Sequence, residues 1–310
     1  MSYTVEVEFA AAYELVVSCY VFTQPQHYRT LELPSWWPNT VRKQLGETLL
    51  QRIPKANHPW LKGGLSELGA LVRQYQGHPG VEEFVRWLTN VSGGELYDLL
   101  APVARGLSPD ILSHLNEFRD FWADLLQVWY EHYYRTMDPQ ILHLLEDSAA
   151  TLRQVAGITP ASQVVTLASR GIQIEADTEF TTVVLVPQYH FSPWNLILAF
   201  GSVQQIFYPV DRPVGPGEPP RDLVRVTKAL GDENRLRILQ FIAQAPRPFM
   251  EVVQFSRLSK GTVHHHLVAL RAAGLVVVRE RHDIGSTTYE LREDAADAVA
   301  QRLREFLFGC

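Results

Sequence analysis

The sequence predicts an α+β chain that is mostly helical, with an N-terminal α+β domain followed by a smaller C-terminal one. Three observations carry this expectation. A long middle stretch offers one helix pattern after another, several opened by proline. Short alternating or β-branched runs lie before and after that stretch. A proline-rich tract at 209–220 then interrupts the chain.

Taken in order, Tyr3, Val5, Val7 and Phe9 alternate with Thr4, Glu6 and Glu8, the pattern of a half-buried strand. Helices are expected at roughly 10–23, 39–53, 65–76, 80–90, 94–104, 110–135 and 139–156. Pro38, Ser108-Pro109 and Asp138-Pro139 supply starts, since proline suits the first helical turn. From 172 to 208 the character becomes that of strands. Thr181 to Val186 is β-branched at every position but Leu185, and Leu196–Phe200 and Gln204–Tyr208 flank Gly201-Ser202 as a hairpin. Residues 209–220 hold five prolines and two glycines. They can sustain neither a helix nor a central strand and make a semi-stiff spacer. The expected domains are therefore 1–208 and 221–310, joined by 209–220.

The chain has 310 residues, 46% of them hydrophobic, ample for two cores. Its net charge of -6 argues against wholesale adsorption to nucleic acid, but the charge is unevenly divided. From Arg221 onward there are 14 Lys and Arg against 11 Asp and Glu, a net +3, leaving -9 for the rest. The nearly uncharged apolar stretch Leu15–Phe22 is too short to cross a bilayer, and Glu6 and Glu8 stand where a signal peptide would be basic. Only Cys19 and Cys310 are present, with no disulfide framework or zinc-finger spacing. A cytoplasmic location without a membrane partner is the expectation.

The stretch Asp232 to Leu291 reads as a complete winged helix-turn-helix. Asp232 can cap a helix carrying Leu236, Leu239 and Ile242 on its buried stripe. Phe249 to Phe255 is a short second helix with Val252 and Val253 inward, and Ser256-Arg257-Leu258 is the turn. Ser259 caps a third helix. On it, Val263, His266, Leu267 and Leu270 share one side, and Gly261, His264, His265 and Val268 the other. The exposed side, with Lys260 in the first turn, offers a cation, two imidazoles and a glycine. Such a face suits a DNA major groove: Lys and His donate to guanine O6 or N7, Thr262 reaches a phosphate or base edge, and the helix start attracts phosphate. Gly274 ends the helix. Val276–Arg281 and Thr287–Leu291 flank 282–286 as a wing hairpin, where Arg279, Arg281 and His282 would meet the DNA backbone or minor groove. The expected DNA-binding residues are Ser259, Lys260, Gly261, Thr262, His264, His265, Arg279, Arg281 and His282. A last helix, about 294–308, lines up Val299, Leu303, Phe306 and Leu307, a stripe apolar enough to need a partner, most simply a second copy.

The segment Lys228-Ala-Leu-Gly-Asp-Glu-Asn-Arg-Leu-Arg-Ile-Leu239 resembles the opening signature of ArsR-type regulators, and Ser259–Leu275 resembles their recognition helix and the start of their wing. The resemblance covers about 221–308. It implies a homodimer built through the first and last helices, bound to a palindromic operator in double-stranded DNA, usually as a repressor released by a ligand. The chain departs from the family pattern at three points. Phe249-Met250-Glu251-Val252-Val253 has no cysteine, and Asp294–Phe308 has no histidine, so neither metal site of the family can be assembled. Arg257 stands where the family often has glycine. Residues 1–210 resemble only loosely the N-terminal extension of some such regulators, chiefly at Val186–Trp194.

Elsewhere the residues admit two readings. Trp129–Tyr134, with Trp122, could line a pocket for a small organic effector, but packing along a long helix is the commoner use of such a run. Histidines 264–266 point in different directions and cannot share one ion, and His143/Glu146 is an ordinary helical spacing. No nucleophile elbow, P-loop, dinucleotide-binding glycine pattern or zinc-protease motif is present, so no catalytic residue, metal or cofactor is expected. The function expected is that of a non-enzymatic, sequence-specific regulator. The alternative is an enzymatic or effector-binding N-terminal domain, with the winged helix serving localisation or protein interaction.

Overall fold

The computed structural model describes residues 3–75, 80–174, 180–215, 217–281 and 286–309; for Glu280, Arg281 and Ser286 only the backbone is described. The elements run β1 (Thr4–Val7), α1 (Ala11–Phe22), α2 (Trp37–Leu50), α3 (Pro59–Gly63), α4 (Leu65–Gln74), α5 (Val81–Asn90), α6 (Gly93–Leu100), α7 (Pro109–Ser113), α8 (Leu115–His132) and α9 (Pro139–Ala156). Then come α10 (Ala161–Ser169), β2 (Ile172–Ile174), β3 (Thr182–Gln188), β4 (Leu196–Phe200), β5 (Val203–Pro209), α11 (Arg221–Leu230) and α12 (Glu233–Ile242). The chain closes with β6 (Arg247–Pro248), α13 (Phe249–Ser256), α14 (Lys260–Ala272), β7 (Val276–Arg281), β8 (Ser286–Leu291) and α15 (Ala295–Phe308). The fold is mostly helical α+β, as the sequence predicts. It divides into two units: 4–154 with 179–210, and 1–3 with 155–178 and 211–310.

In the first unit the sheet order is β1-β3-β5-β4, parallel except for the β4/β5 hairpin that turns at Gly201-Ser202. Gly201 supplies the positive φ, 57°, that this two-residue turn requires. Val183 to Val186 are all buried, the unbroken apolar run of a strand covered on both faces. Helix α1 is buried nearly all round, which is why its sequence has no polar stripe. Glu14 lies within it, and a buried carboxylate is tolerable only when hydrogen-bonded. It accepts the N–H groups of Tyr189 and His190, each at 3.1 Å, and faces His190 Nδ1 at 2.5 Å. His190 Nε2 meets the Tyr133 hydroxyl at 2.6 Å, which also receives the Trp37 indole N–H at 2.7 Å.

The second unit centres on a sheet of order β2-β7-β8-β6. Strands β7 and β8 are the wing hairpin, and β6 adds a short antiparallel rung. Strand character from 172 is expected from the sequence, but membership of this sheet is not. Residues 172–174 leave the first sheet's neighbourhood in sequence and pair in parallel with β7, Ile172 opposite Val278 and Gln173 opposite Arg279. Between α10 and β2 the chain reverses through Arg170 (φ 59°) and Gly171 (φ 115°). Ser169 secures the reversal: its hydroxyl donates to Val165 O at 2.6 Å and accepts the Ile172 N–H at 2.9 Å. A Cβ on Gly171 would lie 2.4 Å from the Val276 carbonyl oxygen, so the close approach of β2 to β7 depends on glycine. The boundary expected at 209–220 therefore omits α10 and β2, which belong with the winged helix. Asp211, inside that proline-rich tract, is held by Arg170 at 2.9 Å and Arg225 at 2.6 Å.

Smaller differences have local causes. The helix expected at 110–135 is broken at His114 (φ -130°, ψ 42°) into α7 and α8. Short α3 and α10 carry too few turns to show a period. Leu236, expected inside, is 48% exposed; Ile238 joins Leu239 and Ile242 in the core instead.

Candidate nucleic-acid interface

Helix α14 is positioned from both sides. Its start is fixed by Ser259, whose hydroxyl oxygen accepts the Thr262 N–H at 3.1 Å and lies 2.8 Å from the Thr262 hydroxyl. Its inner face is fixed by Val263, Leu267 and Leu270, which are buried with Ile238, Ile242, Val252 and Val276. The preceding helix α12 is capped as expected, Asp232 accepting the Arg235 N–H at 2.9 Å, and that bond holds the Asp232 carboxyl below the usual range. His266 turns inward and is half-buried; burial lowers its pKa, and nearby Asp232 opposes the shift.

The opposite face is open. Ser259, Lys260, Gly261, Thr262, His264 and His265 are all exposed, a contiguous polar surface on the first two turns. The rings of His264 and His265 stand edge to face, 6.1 Å apart. Their spacing along a helix about 20 Å long suits a major groove.

Arg257 is a further candidate contact, outside those the sequence predicts. It is exposed and occupies the left-handed region (φ 58°, ψ 24°) that ends α13, its N–H bonded to Val253 O. The turn thus keeps its shape without glycine, at a conformational cost of about 1 kcal/mol. The signal was present: a cation in the turn that leads into a recognition helix. Arg257→Gly is expected to raise the stability of this unit by about 0.5–1 kcal/mol in denaturant unfolding; a loss of stability would contradict the assignment of strain to this residue.

The wing residues are placed differently from the helix residues. Arg279 is engaged with Glu290 on the neighbouring strand, Nε to Oε1 at 2.7 Å, and lines a cavity near the C-terminal end of α14. The Arg281 side chain and His282 lie outside the described residues. On α15, Val299 packs against the core, whereas Leu303, Phe306 and Leu307 are 41%, 44% and 58% exposed. In the first unit Trp122 and Trp129 are fully buried, the latter donating to Ser18 Oγ at 3.0 Å, and Tyr133 lies in the Glu14–His190 chain described above. Among the described residues no three His, Cys, Asp or Glu side chains converge as a metal site, and no helix is long and apolar enough to cross a membrane.

A capped helix with an apolar inner face, a polar exposed face and an adjoining β-hairpin defines a winged helix-turn-helix. Residues 232–278 match the family described as bacterial regulatory protein, arsR family. This winged helix belongs to the ArsR family, and the chain carries the DNA-binding module of a transcription regulator. Among solved structures it is similar to a possible transcriptional regulatory protein, fragment 1–100, from Mycobacterium bovis. That match is 31% identical over 26% of this chain and 85% of the other, with a TM-score of 0.24. A second similar structure is the homodimeric winged helix-turn-helix DNA-binding domain Mb0332 from Mycobacterium bovis, a possible ArsR-family regulator. It is 29% identical over 28% and 85% of the two chains, with a TM-score of 0.24. NolR from Sinorhizobium fredii is 23% identical over 31% of this chain and 97% of its own, with a TM-score of 0.25. No curated protein matches the chain.

Proposed function

We propose that the protein is a homodimeric, sequence-specific transcription repressor that binds a palindromic operator through α14. The observation that carries this reading is the exposure of Lys260, Thr262, His264 and His265 together, on a helix whose other face is locked in the core. Lys260 and the two histidines read base edges; Ser259, Gly261 and Thr262 bring the helix start against phosphate. Arg257 joins them as a phosphate contact, and Arg281 and His282 act from the wing. Repression follows from occupancy of a promoter-proximal site, in keeping with the resemblance to ArsR-type repressors.

Dimerisation is assigned to α15. Leu303, Phe306 and Leu307 form an exposed apolar stripe that one chain leaves in water. A two-fold pair would set the two α14 helices about 34 Å apart, one turn of DNA. Leu303→Glu combined with Leu307→Glu is expected to give monomers in sedimentation and to weaken operator binding at least tenfold. Intact dimers in that variant would move the interface elsewhere.

Small-molecule sensing is assigned to the first unit. A cavity of about 540 Å³ there is bordered by Tyr28, Arg42 and Trp37, and Trp37 bonds directly to Tyr133. The regulator reading is tested by gel retardation of genomic fragments with the full chain. Selective retention of a few fragments at physiological salt is expected, and failure to retard any fragment at low salt would overturn it.

A further inference from the structure

We propose that the winged-helix unit itself contains a binding site for a small polyanionic metabolite bearing carboxylate or phosphate groups. The site is an open cleft of about 730 Å³, within the size range of ligand pockets, lined by the segment that carries α10 and β2 and by the winged helix. Its lining includes five arginines, Arg170, Arg225, Arg279, Arg292 and Arg302, against two aspartates, Asp222 and Asp294. These arginines come from five different places in the fold, and α10, α11, β7 and α15 have no common sequence pattern that would gather them.

The guanidinium groups are held in place by carboxylates. Asp211 takes Arg170 and Arg225, Glu290 takes Arg279, Asp294 takes Arg292 at 2.5 Å, and Asp222 approaches Arg302 at 3.4 Å. Such pairing fixes long side chains before a ligand arrives and so reduces the entropy lost on binding. Guanidinium forks match carboxylate and phosphate oxygens in bidentate geometry, which selects anions over neutral metabolites. Asp222–Arg302 is the longest of these contacts and the one most readily exchanged for a ligand.

The walls also include Ala272, Ala273 and Gly274, the end of α14, and Arg279 on the wing strand. An anion drawing Arg279 and Arg302 together would bear on α14, the wing and α15 at once. This link to operator affinity rests on the proposed reading of α14 as the DNA-contacting helix; anion binding does not.

The test is calorimetric titration of the full chain with citrate and, separately, with glucose 6-phosphate, in buffers of matched ionic strength, with glucose as the neutral control. Saturable binding of at least one anion and none of glucose is expected. Arg302→Gln should weaken it at least tenfold, and Asp222→Asn, which frees that guanidinium, should tighten it. Citrate binding alone would mark a carboxylate ligand, and glucose 6-phosphate alone a phosphate ester. No saturable binding of either anion, or binding that both variants leave unchanged, would overturn the proposal. Gel retardation with and without the bound anion then reads the coupling. An anion that binds a protein unable to retard DNA would leave the cavity assigned and remove the regulator reading, and retardation without anion binding would do the reverse.

Discussion

Replacing Lys260, His264 and His265 together with alanine is expected to raise the Kd for the operator by two to three orders of magnitude. All three side chains are exposed on α14, and none belongs to the core cluster that fixes the helix. The substitutions therefore act on binding without unfolding the unit, and thermal unfolding should be nearly unchanged. Good base-edge contacts contribute about 1–3 kcal/mol each, so Lys260→Ala or His265→Ala alone should cost in that range. For the triple variant the sum is kept to about 3–4 kcal/mol, since contacts in one groove are not additive. The decisive readout is the ratio of operator to random-DNA affinity. Loss of base contacts collapses that ratio, whereas loss of phosphate contacts weakens every sequence alike and flattens the salt dependence. If the triple variant retained the wild-type operator preference, base reading by this face would be wrong.

Gly171→Ala should destabilise the winged-helix unit by about 3–5 kcal/mol, at the upper end for a single substitution. Two costs combine at this position. The backbone is at φ 115°, outside the region open to residues with a Cβ, and the new Cβ would stand 2.4 Å from the Val276 carbonyl oxygen. Relief requires β2 to move off β7, which breaks the Val278 N–H bond to Gly171 O at 2.8 Å and uncovers buried Ile172 and Ile174. Gly217→Ala is the control. Its φ is also positive, 80°, but nothing lies within 4 Å of the added Cβ, so only the conformational cost of about 1 kcal/mol remains. Equal effects of the two substitutions in denaturant unfolding would mean that β2 is no structural part of this unit.

The parts legible in the sequence were those written locally. Asp232 and Ser259 each cap the helix that follows three residues before a bonded N–H, and Gly274, at φ 70°, stops α14 where the pattern ends. Gly201-Ser202 marks the hairpin and the β-branched run at 182–186 marks the central strand for the same reason. What escaped was non-local. Ile172-Gln173-Ile174 is three residues long, and nothing beside it says that its partner lies a hundred positions onward, at Val278. Asp211 sits in a tract whose prolines announce only the lack of regular structure, yet Arg170 at the end of α10 and Arg225 within α11 converge on it. The cavity is invisible for the same reason, its lining being drawn from Val155 to Arg302. In the N-terminal unit the sequence leaves Trp122 and Trp129 between pocket and core, and they lie wholly buried within the core cluster.

The proposed function depends above all on α14 reading DNA as one half of a symmetric pair. The direct test is selection of genomic fragments by the full-length protein, followed by hydroxyl-radical footprinting of the best-bound fragment. The expected result is a pair of inverted half-sites centred about 10 base pairs apart, with protection lost on substituting Lys260, His264 and His265. A bound fragment protected over a single half-site, or protection that survives those substitutions, would contradict it.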